Sequence, residues 1–220
     1  QRRYLAEKLE RLAAELEGAL HLDELHRAIY ATDASVYREQ PLGVVTPQNG
    51  EDLEKVLRFA TEQGVGLIPR AAGTSLAGQC VGNGLVVDVS RHFTEVLELN
   101  TEERWVRVQP GVIRDELNRF LQPHGLFFGP NTSTANRAMI GGMVGNNSSG
   151  TTSIRYGVTR DHVLQVKALL SDGSEVTFGD LSEKEWEGKR KAPGREGEIY
   201  RFLLDSLSDA GVQEKIRKHF

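Results

Sequence analysis

The sequence predicts an α+β fold of two subdomains, a small, mostly parallel sheet with helices followed by a larger, mainly antiparallel sheet with helices. Three observations predict it. A strand–helix–strand–loop–strand run occupies residues 43–89, and its last strand, Leu85-Val86-Val87-Asp88-Val89, is apolar enough to be buried on both faces. Beyond Ser90 the strands alternate apolar and polar residues, the pattern of antiparallel strands with one wet face. The 220 residues, 39% hydrophobic and 26% charged, suit one large domain or two small ones with a true core and little disorder.

Each element has its own reason. Leu5, Leu9, Leu12 and Leu16 repeat at intervals of three and four, which predicts a helix over 4–20 with Gly18 near its end. A second short helix fits 23–30, and Tyr30 to Tyr37 reads as a loop. Gln40-Pro41 leads into a strand at Gly43-Val44-Val45. Thr46-Pro47-Gln48-Asn49-Gly50 then turns the chain into a helix whose Leu53, Val56, Leu57 and Ala60 share one face, and Gly64 stops it. Leu67-Ile68-Pro69 is the next strand. Val96 to Leu99 and Arg104 to Gln109 pair across the polar turn Asn100-Thr101-Glu102-Glu103, and Pro110-Gly111 breaks the second of them. Ile113, Leu117, Phe120 and Leu121 mark a helix ending before Pro123. Val163 to Leu170 and Ser174 to Phe178 flank Ser171-Asp172-Gly173, a hairpin signal. From residue 182 the tail is charged, a solvated face with helical patterning around Ile199, Phe202, Leu203 and Leu207. The chain has no initiator Met and stops at Lys218-His219-Phe220 within a helical pattern, so it reads as a piece of something longer.

Composition excludes several classes. A net charge of −4 gives no electrostatic case for a nucleic-acid partner. No apolar run approaches the roughly 20 residues of a transmembrane segment, and the start, Gln1-Arg2-Arg3-Tyr4, has no apolar signal segment. A cytoplasmic home follows, with peripheral membrane association of the longer protein left open. The single cysteine, Cys80, excludes an internal disulfide framework and an iron–sulfur ligand set, and reads as a packing residue. The six histidines, His21, His26, His92, His124, His162 and His219, are scattered without metal-ligand spacing, so no metal is expected. There is no G-x-x-x-x-G-K-[ST], no G-x-G-x-x-G and no G-x-S-x-G.

Glycine stands out, at 23 of 220 residues, and much of it falls in two clusters. The first, at 73–84, continues the strand-to-loop run Pro69-Arg70-Ala71-Ala72-Gly73-Thr74-Ser75-Leu76-Ala77-Gly78-Gln79. Small side chains there let the backbone approach a ligand, and successive N–H groups can form an anion-binding concavity, although an ordinary small-residue turn would look the same. The second runs from Phe128 to Gly157. Between Phe128 and Gly150 it carries a single charge, Arg137, too few for a solvated loop. Its hydroxyls, amides and glycines suit a backbone wrapped round a neutral or anionic ligand, and Ile140, Met143 and Val144 argue for packing rather than a flexible linker.

Pro69-Arg70-Ala71-Ala72-Gly73-Thr74-Ser75, then Ile140-Gly141-Gly142, Asn146-Asn147-Ser148-Ser149-Gly150 and Arg155-Tyr156-Gly157, resemble the FAD-binding domain of the FAD-linked oxidase superfamily of the vanillyl-alcohol oxidase and p-cresol methylhydroxylase type. The resemblance covers about residues 30 to 180. It is nearest to the D-2-hydroxyacid dehydrogenases acting on D-lactate, glycolate or D-2-hydroxyglutarate. Ala34-Ser35-Val36-Tyr37 and Val87-Asp88-Val89-Ser90-Arg91-His92 resemble the long members of that branch, which add a C-terminal iron–sulfur region.

The resemblance implies two subdomains with FAD between them. It assigns residues 1–38 to an N-terminal helical segment, 39–181 to the FAD-binding domain and 182–220 to a tail leading toward a C-terminal cap domain. It implies a pyrophosphate site at Arg70, Ala71, Ala72, Gly73, Thr74 and Ser75, with Gln79 and Cys80 beside it. Pro130, Thr132, Ser133 and Thr134 would lie along the flavin and its diphosphate. Ile140, Gly141, Gly142 and Gly145 would pass close to the cofactor, and Asn146, Ser149, Gly150 and Tyr156 would continue that wall. Some relatives attach the flavin through a histidine in the first loop. Gly73-Thr74-Ser75 has none, so non-covalent FAD is expected. The catalytic residues belong to the cap domain and stay unknown here. The implied partners are a small 2-hydroxyacid substrate and an iron–sulfur region or another electron acceptor. A non-catalytic flavin-binding module and a UDP-sugar reductase of the same superfamily remain the alternatives.

Overall fold

A computed structural model of the chain describes residues 2–219, so the readings that touch Gln1 and Phe220 lie outside the described residues. The chain divides into two units, Gln1–Val163 and Leu164–Phe220.

The first unit opens with helix α1 (Arg2–Glu15), which buries Leu9 and Leu12. The sequence predicts this helix to residue 20, but it stops at Glu15 and Ala19–His21 form strand β1. The cause is tertiary. The Asp52 carboxylate accepts the N–H groups of Glu17 (3.0 Å) and Gly18 (2.8 Å). A side chain at Gly18 would run into the Thr46 carbonyl. The chain is thereby laid antiparallel along β2 (Gly43–Thr46), in the register Ala19↔Thr46 to His21↔Val44. Between them lies α2 (Glu24–Ile29), capped by Asp23.

Helix α3 (Gly50–Gln63) starts where the Asn49 side chain accepts the Asp52 N–H, and ends at Gly64 in the left-handed region, φ +64°. Strands β3 (Leu67–Arg70) and β4 (Leu85–Asp88) follow. The sheet order is β1-β2-β4-β3, with β4 parallel to both neighbours and buried along its whole length. Val45, Leu85 and Val87 of the sheet pack with Val56 and Phe59 of α3 and Leu9 and Leu12 of α1 to form the main core. A core of this kind is the dominant favourable term in folding, roughly 1.5–3 kcal/mol for each large apolar side chain fully buried.

Strands β5 (Val96–Asn100) and β6 (Trp105–Val108) make an antiparallel ribbon with a bulge between Val96 and Glu98. Helix α4 (Arg114–Leu121) runs on into a 3-10 turn at Gln122–His124 that contains Pro123. Its Leu117 and Leu121 join Val112 in a second small core against the ribbon. The second glycine cluster contains two short helices, α5 (Ile140–Asn146) and α6 (Ser153–Tyr156).

The second unit holds the expected hairpin, β7 (Gln165–Leu169) and β8 (Glu175–Gly179), turning at Gly173 with φ +84°. Helices α7 (Glu183–Lys191), α8 (Gly194–Ser208) and α9 (Ala210–His219) follow, with Trp186 edge-on to Tyr200 at 5.0 Å. The architecture is α+β with mixed and antiparallel sheets. Among the described residues the antiparallel strands beyond Ser90 form two separate ribbons rather than one larger sheet. No helix among them is long and apolar enough to cross a membrane.

Candidate functional site

The two glycine-rich segments, far apart in sequence, meet in the first unit. Gln79 Nε2 donates to Asn146 Oδ1 at 2.9 Å, linking the loop after β3 to the end of α5. The Ser75 hydroxyl donates to Gln79 Oε1, and Asn146 Nδ2 donates to Ser148 Oγ at 3.2 Å, so a chain of side-chain hydrogen bonds crosses the join. Beside it, a methyl group at Gly142 would sit 3.7 Å from the Ala71 side chain. Gly142, Gly145, Gln79 and Asn146 are exposed, while Ala71, Ala72, Gly73, Thr74 and Ser75 are half-buried.

The first loop is braced from behind. Gly73 lies in the left-handed region (φ +65°), and its carbonyl accepts the Ala34 N–H at 3.1 Å. The Arg70 guanidinium donates to the Thr32 carbonyl at 2.8 Å and lies 5.0 Å from the centre of the Tyr30 ring. It also fills the space a Gly73 side chain would need, with Nη2 2.6 Å from that point. Tyr30 donates its hydroxyl to buried Asp88 at 2.5 Å. Burial first, and that bond second, push the Tyr30 phenol up to about 12. Arg70 is thus turned toward the 30–34 segment. Cys80 is buried, and its thiol donates to Asp33 at 3.5 Å. Burial pushes the thiol above its ordinary value, so it stays protonated, in keeping with a packing role.

The second segment is held from several sides. Ile140 and Gly141 give their N–H groups to the carbonyls of Val112 (2.9 Å) and Pro110 (2.8 Å), and a Gly141 side chain would strike Pro110. A Gly150 side chain would strike the Asn131 carbonyl. Those two glycines serve close packing of backbone on backbone. Gly145 differs, because nothing lies within 4 Å of where its side chain would be. Pro130 is buried, with its carbonyl bonded to Arg114 Nε at 3.0 Å. Tyr156 packs across Gly129 and meets Phe127 edge-on at 5.1 Å. Thr159, wholly buried, donates its hydroxyl to the Ser148 carbonyl at 2.7 Å. Ser133 and Ser149 are exposed, and Thr134 is half-buried.

Thr132 Oγ1 is the informative atom. It is buried and has no hydrogen-bond partner within the protein. A buried hydroxyl left unpaired costs about 1–3 kcal/mol, so a polar ligand group at that position would relieve a standing penalty. An orphaned hydroxyl together with an open, small-residue surface at Gly142 and Gly145 fits a broad polar cofactor laid against the backbone.

Comparison with known proteins decides the class. Residues 41–179 match the FAD binding domain family. The chain belongs to that family. This FAD-binding domain is 44% identical over 191 residues to the D-2-hydroxyglutarate dehydrogenase of Pseudomonas putida, covering 86% of this chain and 19% of that protein. It is 34% identical to the glycolate oxidase subunit GlcD of Bacillus subtilis, over 74% of this chain and 35% of that one. Among solved structures, p-cresol methylhydroxylase with substrate bound superimposes with a TM-score of 0.70 at 14% identity, over 80% of this chain and 36% of the other, a likeness of fold. The chain therefore spans about a fifth of the length of the D-2-hydroxyglutarate dehydrogenase. FAD is the cofactor, and with no histidine at 71–75 the domain holds it non-covalently.

Sequence reasoning missed the brace formed by Tyr30, Thr32, Arg70 and Asp88. Its one local sign is an aspartate closing an otherwise apolar, buried strand. The structure also brings together three residues that sequence spacing left apart, His21, Asp23 and His26.

Proposed function

We propose that this chain is the flavin-binding part of a longer dehydrogenase that oxidises a D-2-hydroxyacid to the 2-oxoacid, with D-2-hydroxyglutarate the first substrate to test. The observation that carries the reading is the join of the two glycine-rich segments at Ala71–Gly142 and Gln79–Asn146. Its substrate class rests on the 44% identity to a D-2-hydroxyglutarate dehydrogenase.

When bound, FAD supplies the acceptor for the hydride that leaves the substrate carbon. The work of this chain is to bind and orient. Backbone N–H groups of Ala71 to Ser75 would hold the pyrophosphate, in the manner of an anion-binding nest. Thr132, Ser133 and Thr134 offer hydroxyls along the cofactor, and Pro130 fixes where that stretch starts. Gly142 and Gly145 keep the wall low enough for close approach, and Asn146, Ser149 and Tyr156 extend it. Arg70, Cys80, Ile140, Gly141 and Gly150 act from behind as supports, because their polar groups or side-chain space are committed to other parts of the protein. Residues 1–38 form a helical lead-in, 39–181 the FAD-binding domain and 182–220 the approach to a cap domain that would supply the substrate-side wall and catalytic residues. Electrons leave through an iron–sulfur region or an acceptor protein, in the cytoplasm.

The test has two arms. The purified chain should turn yellow and quench added FAD fluorescence, and acid precipitation should leave the colour in the supernatant. The full-length protein should reduce a dye with D-2-hydroxyglutarate, and the 220-residue chain should not. A full-length protein that binds FAD but oxidises none of D-2-hydroxyglutarate, D-lactate and glycolate would leave a flavin-binding module and end the dehydrogenase reading.

A further inference from the structure

We propose that His21, Asp23 and His26 form a binding site for a zinc-type transition-metal dication, independent of the flavin loops. His21 is the last residue of β1, Asp23 caps α2, and His26 lies in its first turn. One ligand atom from each lies within 4.8 Å of the others. The two imidazoles are already stacked, with ring centres 3.8 Å apart and planes 6° from parallel.

The Asp23 carboxylate is held in place. It accepts the His26 backbone N–H at 3.0 Å and lies 2.7 Å from His26 Nδ1. The independent sign of a missing partner is on His21, whose Nε2 is shut away from solvent with no hydrogen-bond partner. An imidazole nitrogen in that state is either a standing cost or a ligand in waiting.

The donor set selects the metal. Two imidazole nitrogens and one carboxylate suit a borderline ion such as Zn²⁺, whereas Ca²⁺ and Mg²⁺ want oxygen donors throughout. Zinc–nitrogen bonds of about 2.0–2.1 Å lie in the imidazole planes and place tetrahedral neighbours about 3.3 Å apart, so both rings must rotate out of their parallel stack and the Asp23 carboxylate must turn with them to close the set. The side chains of His26 and Asp23 are 37% and 52% exposed, which leaves an open fourth position for water. Neutral His26, now coordinating through the nitrogen that faced Asp23, keeps its proton on the other. Arg91 is near enough to act on His21 electrostatically, and its charge opposes a dication.

The test uses the 220-residue chain stripped with EDTA and titrated calorimetrically with ZnCl₂, and separately with CoCl₂ followed by visible absorption. The expected result is one equivalent bound at about 1–10 μM, with the strong d–d bands of four-coordinate cobalt. His21→Gln and His26→Gln should each weaken zinc by at least about tenfold at unchanged circular dichroism. Asp23→Asn keeps an oxygen for the cap and should weaken zinc by a similar factor. If a histidine variant fails to fold, the histidine ring signals of the parent in proton NMR decide, because His21 and His26 should move with zinc and His92, His124 and His162 should not. Absence of saturable one-to-one binding below about 100 μM overturns the site. So does affinity unchanged in His21→Gln or in Asp23→Asn, which would hand the metal to histidines elsewhere.

Discussion

The two glycine-rich segments reach the same place by different means. The first is a loop that could swing, stopped by a brace of side chains, Arg70 on Thr32 and Tyr30 on Asp88. The second is a short helix whose backbone is pinned directly to other backbone, Ile140 to Val112 and Gly141 to Pro110. A side-chain brace can be trimmed with the fold left standing. A backbone pin cannot, because the glycine that permits it leaves no room for any substitute. The same residue type therefore carries opposite tolerances at positions only five apart, Gly145 and Gly150.

That contrast can be broken at several points. The largest effect is expected for Gly150→Val, whose side chain would drive into the Asn131 carbonyl. It should lose about 3–4 kcal/mol in urea unfolding, the range of severe overpacking, and lose FAD with it. Gly73→Val comes next. A β-branched residue at φ +65° is strained and must also displace the Arg70 guanidinium, at about 1–3 kcal/mol, with FAD binding abolished as measured by fluorescence quenching. Tyr30→Phe tests the brace alone. It leaves the buried Asp88 carboxylate short of a donor, so about 1–3 kcal/mol of stability should go and FAD should bind roughly tenfold more weakly.

The same tyrosine has a signature in pH. Its folded value is raised to about 12 from an ordinary 10.0, so the neutral form is what folding favours. That contribution is complete below pH 10 and disappears between pH 10 and about 12, and thermal midpoints should fall more steeply there in the parent than in Tyr30→Phe. Equal slopes would remove the Tyr30–Asp88 bond from the brace. The smallest effect on folding is expected at Gly145→Ala. Open space and a helical position should leave stability equal or higher by up to about 1 kcal/mol, while FAD affinity falls if that surface is the cofactor wall. A Gly145→Ala protein that binds FAD as tightly as the parent would move the wall elsewhere.

Much of this was readable in the residues. The apolar run Leu85–Val87 marked the buried strand, Gly64 marked the end of α3, and Asp172-Gly173 marked the hairpin, because each states its geometry within a few positions. The leucine period through Leu16 carried the first helix too far. What ends it is Asp52, more than thirty residues away in sequence, and a local pattern cannot report a distant acceptor. Helix α5 was hidden for the opposite reason. Its Gly-Gly-Met-Val-Gly sequence is a poor helix former and holds only because Pro110 and Val112 secure its first turn. The two glycine-rich segments stand out in composition and in the resemblance, while the brace behind the first depends on Tyr30 and Asp88, 58 residues apart.

The order β1-β2-β4-β3 has a consequence for the growing chain. Strand β4 is the central member that both β2 and β3 need as a partner, yet it is the last of the four to be made. At about 5–20 residues per second, the forty or so residues from β2 to β4 take roughly 2–8 s to synthesise. During that interval Gly43–Thr46 has only β1 beside it, and Leu67–Arg70 has no strand partner. A nascent chain ending before Asp88 is thus left with an incomplete sheet, and β3 joins the β1–β2 pair only once β4 is there to bridge them.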